Sequence, residues 1–233
     1  MRILSLILAG FFLIQFHPLA YADLEDVLID DRWDEIIFDD LSPNIFTAGD
    51  AMTGLSREIR VTSESTVSIA FRNVDIDLGA TPNLSWSWFS RTSIIDTDTT
   101  QKGGDDRTLV IYVAFPYQPE EASFGDRLRR TSIELLRGSD TQDRVLTYMW
   151  GGGAARGDKI ENPYTGRNGQ LIYLRTPQDK PDIWYDETVN IKQDFIDAFG
   201  FAPVSPVYVG IGADSDDTQS TIKAMVKGLR FSE

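Results

Sequence analysis

Polar and apolar residues alternate with a period of two along most of the chain. The pattern is clear at 58–62, and at 67–71 it continues through Val74, Ile76 and Leu78. Its strongest instance is Leu84-Ser85-Trp86-Ser87-Trp88, where Leu84, Trp86 and Trp88 share one face and Ser85 and Ser87 the other. Alternation of this kind predicts strands with one buried face. The run 109–115 is almost continuously apolar, which predicts a central strand covered on both sides. Further strands are expected at 35–38, 145–150, 170–175, 207–211, 221–227 and 229–231. Helical spacing occurs twice. Phe124, Leu128, Ile133 and Leu136 predict a helix over 124–136, and Ile191, Phe195, Ile196 and Phe199 predict one over 191–199, stopped by Gly200. Many short strands, few helices and no βαβ alternation predict an all-β sandwich with one or two short helices.

The first 22 residues have a different character. Arg2 precedes an apolar run over 3–16, and Ala20-Tyr21-Ala22 has the form of a cleavage site, so a secretory signal peptide over 1–22 is expected. The run is too short for a membrane span, which needs about 20 residues. No later segment approaches that length, so no membrane span is expected after cleavage. Residues 23–233 are then expected to form one β-sandwich domain in the periplasm or outside the cell. The chain has no cysteine, and its single histidine is His17. Once residues 1–22 are removed, catalysis through histidine or cysteine and His-ligated metal sites are closed to the protein. The net charge of −14 argues against nucleic acid as a partner, because phosphate contacts need clustered Lys and Arg.

Several segments together resemble the bacterial family of unknown function DUF3047. They are 82–88, Asp105-Asp106-Arg107 leading into 110–115, 146–150, Trp184 with Asp194-Phe195 and Phe199-Gly200, and 210–218 before Leu229-Arg230-Phe231. The family pattern carries an Arg-Asn pair after the tryptophan that matches Trp184, where this chain has Thr188-Val189-Asn190. The resemblance implies a jelly-roll-like β-sandwich of the concanavalin/galactose-binding type and no defined activity.

Three groups of residues are candidates for chemistry. Asp214, Asp216 and Asp217 alternate with small polar residues and can present several oxygens to calcium, which takes six to eight. The competing reading is an acidic turn whose carboxylates cap backbone N–H groups. Asp105, Asp106 and Arg107 can recognise a sugar diol, or can form a salt bridge where a strand begins. Trp150 and Trp184, with Tyr148 close in sequence to the first, border glycine-rich or polar loops and are candidate stacking platforms for a sugar; Trp86 and Trp88 are expected in the core. The leading expectation is therefore a non-catalytic module that binds a glycan or polysaccharide, with a structural calcium as candidate cofactor. A polysaccharide-active enzyme using paired carboxylates among Asp106, Asp214 and Asp216 stays open, although the chain has no Glu-x-Glu. A structural or interaction protein of the envelope stays open too. The ligand-binding reading requires the aromatic and acidic positions to meet in one shared pocket.

Overall fold

The computed structural model describes residues 33–48, 58–92, 96–123, 125, 127, 130, 142–205 and 207–233. Among the described residues twelve strands are formed: β1 (Asp34–Ile37), β2 (Ile45–Ala48), β3 (Glu58–Glu64), β4 (Val67–Val74), β5 (Asn83–Ser90), β6 (Arg107–Phe115), β7 (Arg144–Trp150), β8 (Lys159–Asn162), β9 (Gly166–Arg175), β10 (Tyr185–Asn190), β11 (Val207–Asp214) and β12 (Thr221–Ser232). They build a seven-stranded sheet in the order β1-β4-β11-β6-β7-β9-β8 and a five-stranded sheet in the order β10-β5-β12-β3-β2. All neighbours are antiparallel except β7 and β9. The chain changes sheet at nearly every connection from β3 to β6 and again from β9 to β12. This crossing pattern makes the molecule an all-β sandwich of jelly-roll type. The expected signal segment lies outside the described residues, as does most of the helix expected over 124–136. No helix among the described residues is long and apolar enough to cross a membrane.

The inner faces follow the sequence alternation. Leu84, Trp86 and Trp88 of β5 meet Leu146, Tyr148 and Trp150 of β7 between the sheets. The rings interlock at centroid distances of 5.8 Å for Trp86–Tyr148 and 5.6 Å for Trp88–Trp150, with the Trp86–Trp88 pair at 5.4 Å and nearly perpendicular. Tilted and edge-on pairs of this sort add to the apolar burial. The run 109–115 lies in β6, central in its sheet. Leu109, Ile111, Val113 and Phe115 face the inter-sheet core, while Val110 and Tyr112 pack on the opposite face. The predicted double coverage is therefore present.

The helix α1 (Ile191–Phe199) closes one end of the sandwich. Asn190 caps it by accepting a hydrogen bond from Gln193 N at 2.8 Å, and Gly200 ends it at φ 85°. Those are the capping residue and left-handed stop that favour a helix there. Phe195 drops from it against Phe115, with centroids 4.4 Å apart.

Candidate functional site

Two candidate regions emerge, and they lie on different parts of the sandwich. The first begins with a β-bulge. Gly212 pairs with Val110, but Asp214 pairs with Arg107, so β6 carries one extra residue at its start. The extra residue turns Arg107 onto the outer face beside Tyr112, as bulges commonly re-aim a side chain. Arg107 then organises a network. Its Nη1 donates to Asp105 Oδ2 at 2.6 Å, and its Nη2 donates to the Tyr112 hydroxyl at 3.0 Å and lies 3.2 Å from Asp214 Oδ2. The Tyr164 hydroxyl donates to Asp105 Oδ1 at 2.5 Å.

Asp106 faces the other way and is fully buried. It accepts hydrogen bonds from Thr218 N at 2.7 Å, Thr218 Oγ1 at 2.5 Å and Asp217 N at 3.3 Å. The 214–218 turn is thus pinned by a carboxylate more than a hundred residues upstream. Carboxylate oxygens of Asp106, Asp216 and Asp217 lie within 4.8 Å of one another. Asp214 is 6 % exposed, and its Oδ1 is buried without a donor. Burial pushes its carboxyl well above the usual carboxylate range; Arg107 opposes the shift, and the adjoining Asp216 carboxyl adds to it. Asp105 to Arg107 and Asp214 to Asp217 were separate candidates in the sequence; in the fold they are one cluster. Of the expected set, Asp216 and Asp217 lie with Asp106, while Asp214 pairs with Arg107.

The second region is a groove of ≈ 530 Å³ on the outer face of the five-stranded sheet. Strand registry builds it in rungs. Arg60 of β3, Met225 of β12 and Phe89 of β5 stand side by side, and Trp184 packs against Phe89 with ring centroids 5.3 Å apart. On one side lies the rung Thr62–Lys223, continued by Arg91, whose N–H bonds the Lys223 carbonyl at 2.8 Å. On the other lies Glu58–Lys227–Ser87. The Lys227 ammonium sits 3.9 Å from the Trp184 ring centroid. That is a cation–π distance.

Of the nominated aromatic residues, only Trp184 reaches a groove. Trp150 and Tyr148 are fully buried between the sheets. Their expected role as stacking platforms is corrected: neither ring has a face open to a ligand. Trp150 touches Trp88 and Tyr185, and the Tyr148 hydroxyl donates to Asp194 Oδ2 at 3.0 Å. Neither the acidic cluster nor Tyr148 lines the groove of Trp184, so the expected single shared pocket is not formed. Phe89, Arg91, Lys223 and Met225 were not singled out from the sequence. The signal for three of them was present, because they occupy the outward positions of strands whose inward positions are apolar.

Fold and sites together define an all-β sandwich with an aromatic, cation-lined groove on one sheet and an acidic cluster at a strand end of the other. The chain belongs to the family described as protein of unknown function (DUF3047), whose model matches residues 31–230. No curated protein sequence matches it significantly. Among solved structures it is similar to a β-1,2-glucanase from Parabacteroides distasonis, at 10 % identity and TM-score 0.41 over 86 % of this chain and 22 % of that one. It is similar also to the xyloglucanase domain of the effector NopAA from Sinorhizobium fredii, at 12 % identity and TM-score 0.40 over 85 % and 94 %. A family 11 xylanase from Neocallimastix patriciarum matches at 11 % identity and TM-score 0.39 over 88 % and 94 %. The chain spans about a fifth of the length of the first two structures it matches.

Proposed function

We propose that this is an exported, non-catalytic β-sandwich that binds a glycan in the groove beside Trp184. The observation that carries the reading is the partly exposed Trp184 ring, stacked with Phe89 at the wall of an open groove of ≈ 530 Å³. Binding sites for small polar ligands combine an apolar or aromatic floor with a few placed polar groups, and this groove has both. Binding is favoured over hydrolysis because glycosidases flank the scissile bond with two carboxyl groups about 5–9 Å apart. Among the described residues the groove is lined by a single acid, Glu58, which is paired with Arg60 at 2.8 Å. Of the acids nominated for catalysis, Asp106 and Asp214 are buried and engaged by Thr218 and Arg107, and the half-buried Asp216 lies with Asp106 and Asp217, away from the groove. Affinity electrophoresis against a panel of polysaccharides tests the reading. Retarded migration that disappears in Trp184→Ala, with the fold intact by circular dichroism, is expected; no retardation by any polysaccharide overturns it.

We also infer that the acidic cluster holds a hard divalent cation, calcium being the candidate. Asp106, Asp216 and Asp217 would supply the carboxylate oxygens. Support comes from the buried Asp214 Oδ1, which has no donor and lies against the Asp216 carboxyl. A cation there would offset the mutual repulsion of these acids and supply the positive charge that the loop lacks.

A further inference from the structure

The chain carries 36 acidic and 22 basic residues, yet the groove reverses that balance. Arg60, Arg91 and Lys223 line it, Lys227 stands over its tryptophan, and Glu58 is its single acid among the described residues. Arg60 is paired with that acid. Among the described residues, Arg91, Lys223 and Lys227 have no carboxylate partner; Arg91 and Lys227 rest on aromatic rings instead, at 5.9 Å from Phe89 and 3.9 Å from Trp184. Three cations gathered on one sheet face of an acidic protein repel one another, and carboxylates to neutralise them are abundant elsewhere on the chain. Folding alone gives no reason for that arrangement. A ligand carrying negative charge does.

The rungs define the shape of that ligand. The apolar row of Met225, Phe89 and Trp184 crosses two inter-strand steps of about 4.8 Å, or about 10 Å in all, and Arg60 stands at its end. Lys223 and Arg91 flank the row on one side and Lys227 on the other. An apolar track with cations on both edges suits a linear polymer that presents a ring face downward and anionic groups sideways. A nucleic acid duplex fits poorly, because it needs a broad basic surface, whereas the cations here only border a narrow track.

We propose that the groove selects a carboxylated polysaccharide, a polymer of uronic acid type, over neutral glycans. The proposal rests on the glycan-binding reading above and adds the charge of the ligand to it. The cations supply affinity that salt screens, while the rings supply affinity that salt leaves intact. The test is calorimetric titration of the full chain with polygalacturonate, dextran sulfate, neutral xyloglucan, a DNA duplex and vesicles containing phosphatidylserine. Polygalacturonate is expected to bind at least about tenfold more tightly than xyloglucan, and to weaken about tenfold between roughly 0.05 and 0.5 M salt. The double variant Lys223→Glu, Lys227→Glu is expected to lose polygalacturonate binding with its melting temperature retained. Lys223→Gln, Lys227→Gln provides a milder check should charge reversal disturb the fold. Equal, salt-insensitive binding of xyloglucan overturns the selection for charge and leaves glycan binding standing. Failure of every polysaccharide overturns both. Tighter binding of dextran sulfate, DNA or the vesicles than of polygalacturonate overturns the assignment to carboxylated polymers.

Discussion

Arg175 reaches from the end of β9 in one sheet to Glu187 of β10 in the other, its Nε donating to Glu187 Oε1 at 2.5 Å. Both side chains are buried. The same carboxylate oxygen accepts from Trp88 Nε1 at 3.1 Å, and the guanidinium lies 4.1 Å from the Tyr185 ring centroid. One acid thus ties together a core tryptophan and both layers of the sandwich. Removing one member of a buried pair typically costs about 3–5 kcal/mol; here Arg175 keeps Asp179 as a partner at 3.1 Å, and the expected cost falls to about 1–3 kcal/mol for the lost hydrogen bonds. Glu187→Ala is expected to lose that much in urea unfolding; a loss below about 1 kcal/mol would show that the pair is solvated in solution.

The two nominated tryptophans should separate cleanly. Trp150→Ala opens a cavity between the sheets and is expected to cost about 3–5 kcal/mol. Trp184→Ala removes an aromatic pair at the surface, worth about 1 kcal/mol, and should abolish glycan retardation. A Trp184→Ala protein that binds normally places the ligand elsewhere.

Gly152 marks a close approach. Its φ is +78°, and a Cβ there would lie 2.9 Å from Thr99 Cγ2 and 3.0 Å from Tyr173 Cε1. Left-handed strain and overpacking combine, so Gly152→Ala is expected to destabilise by about 2–4 kcal/mol. Thermal melting measures this, and an unchanged midpoint refutes it. The sequence suggests a plain flexible loop at 151–153. In the fold, Gly151 N bonds the Arg175 carbonyl at 3.1 Å and Gly153 N the Thr97 carbonyl at 2.7 Å.

The acidic cluster separates structure from cation binding. Asp106→Ala leaves the N–H groups of Asp217 and Thr218 without their acceptor and is expected to cost about 1–3 kcal/mol in chelator, and more with calcium present because a proposed ligand is lost as well. Calcium at about a hundred times its dissociation constant should add about 2.7 kcal/mol to the wild type, and nothing to Asp216→Asn, Asp217→Asn. Superimposable melts of the wild type in calcium and in chelator exclude the ion.

Much of the architecture was legible because period two is a local property. The core face of β5 and the helix over 191–199 with its Gly200 stop appear as the sequence predicts. β2, β8 and β10 escape notice because their alternation is weak or their faces are exposed; β10 reads Tyr-Asp-Glu-Thr-Val-Asn, where only Glu187 and Val189 are buried. Trp150 was misplaced because three glycines follow it, although Leu146, Tyr148 and Trp150 share one parity with the core. The groove was harder to see. Arg60, Phe89, Arg91 and Lys223 come from three segments, and only the pairing of β12 with both β3 and β5 makes them neighbours. Likewise, nothing local links Asp106 to Thr218; the registry of β6 with β11 does.

That pairing of β12 bears on how the protein can mature. The strand latest in sequence occupies the middle of the five-stranded sheet, with β5 on one side and β3 on the other. Until residues 221–232 are available, those two strands have no common partner and the groove has no floor. Contacts at such sequence separation form slowly, because loop closure precedes any gain. A chain emerging vectorially during synthesis would stay open-faced until residues 221–232 arrive, with Trp86 and Trp88 exposed meanwhile to chaperones and proteases.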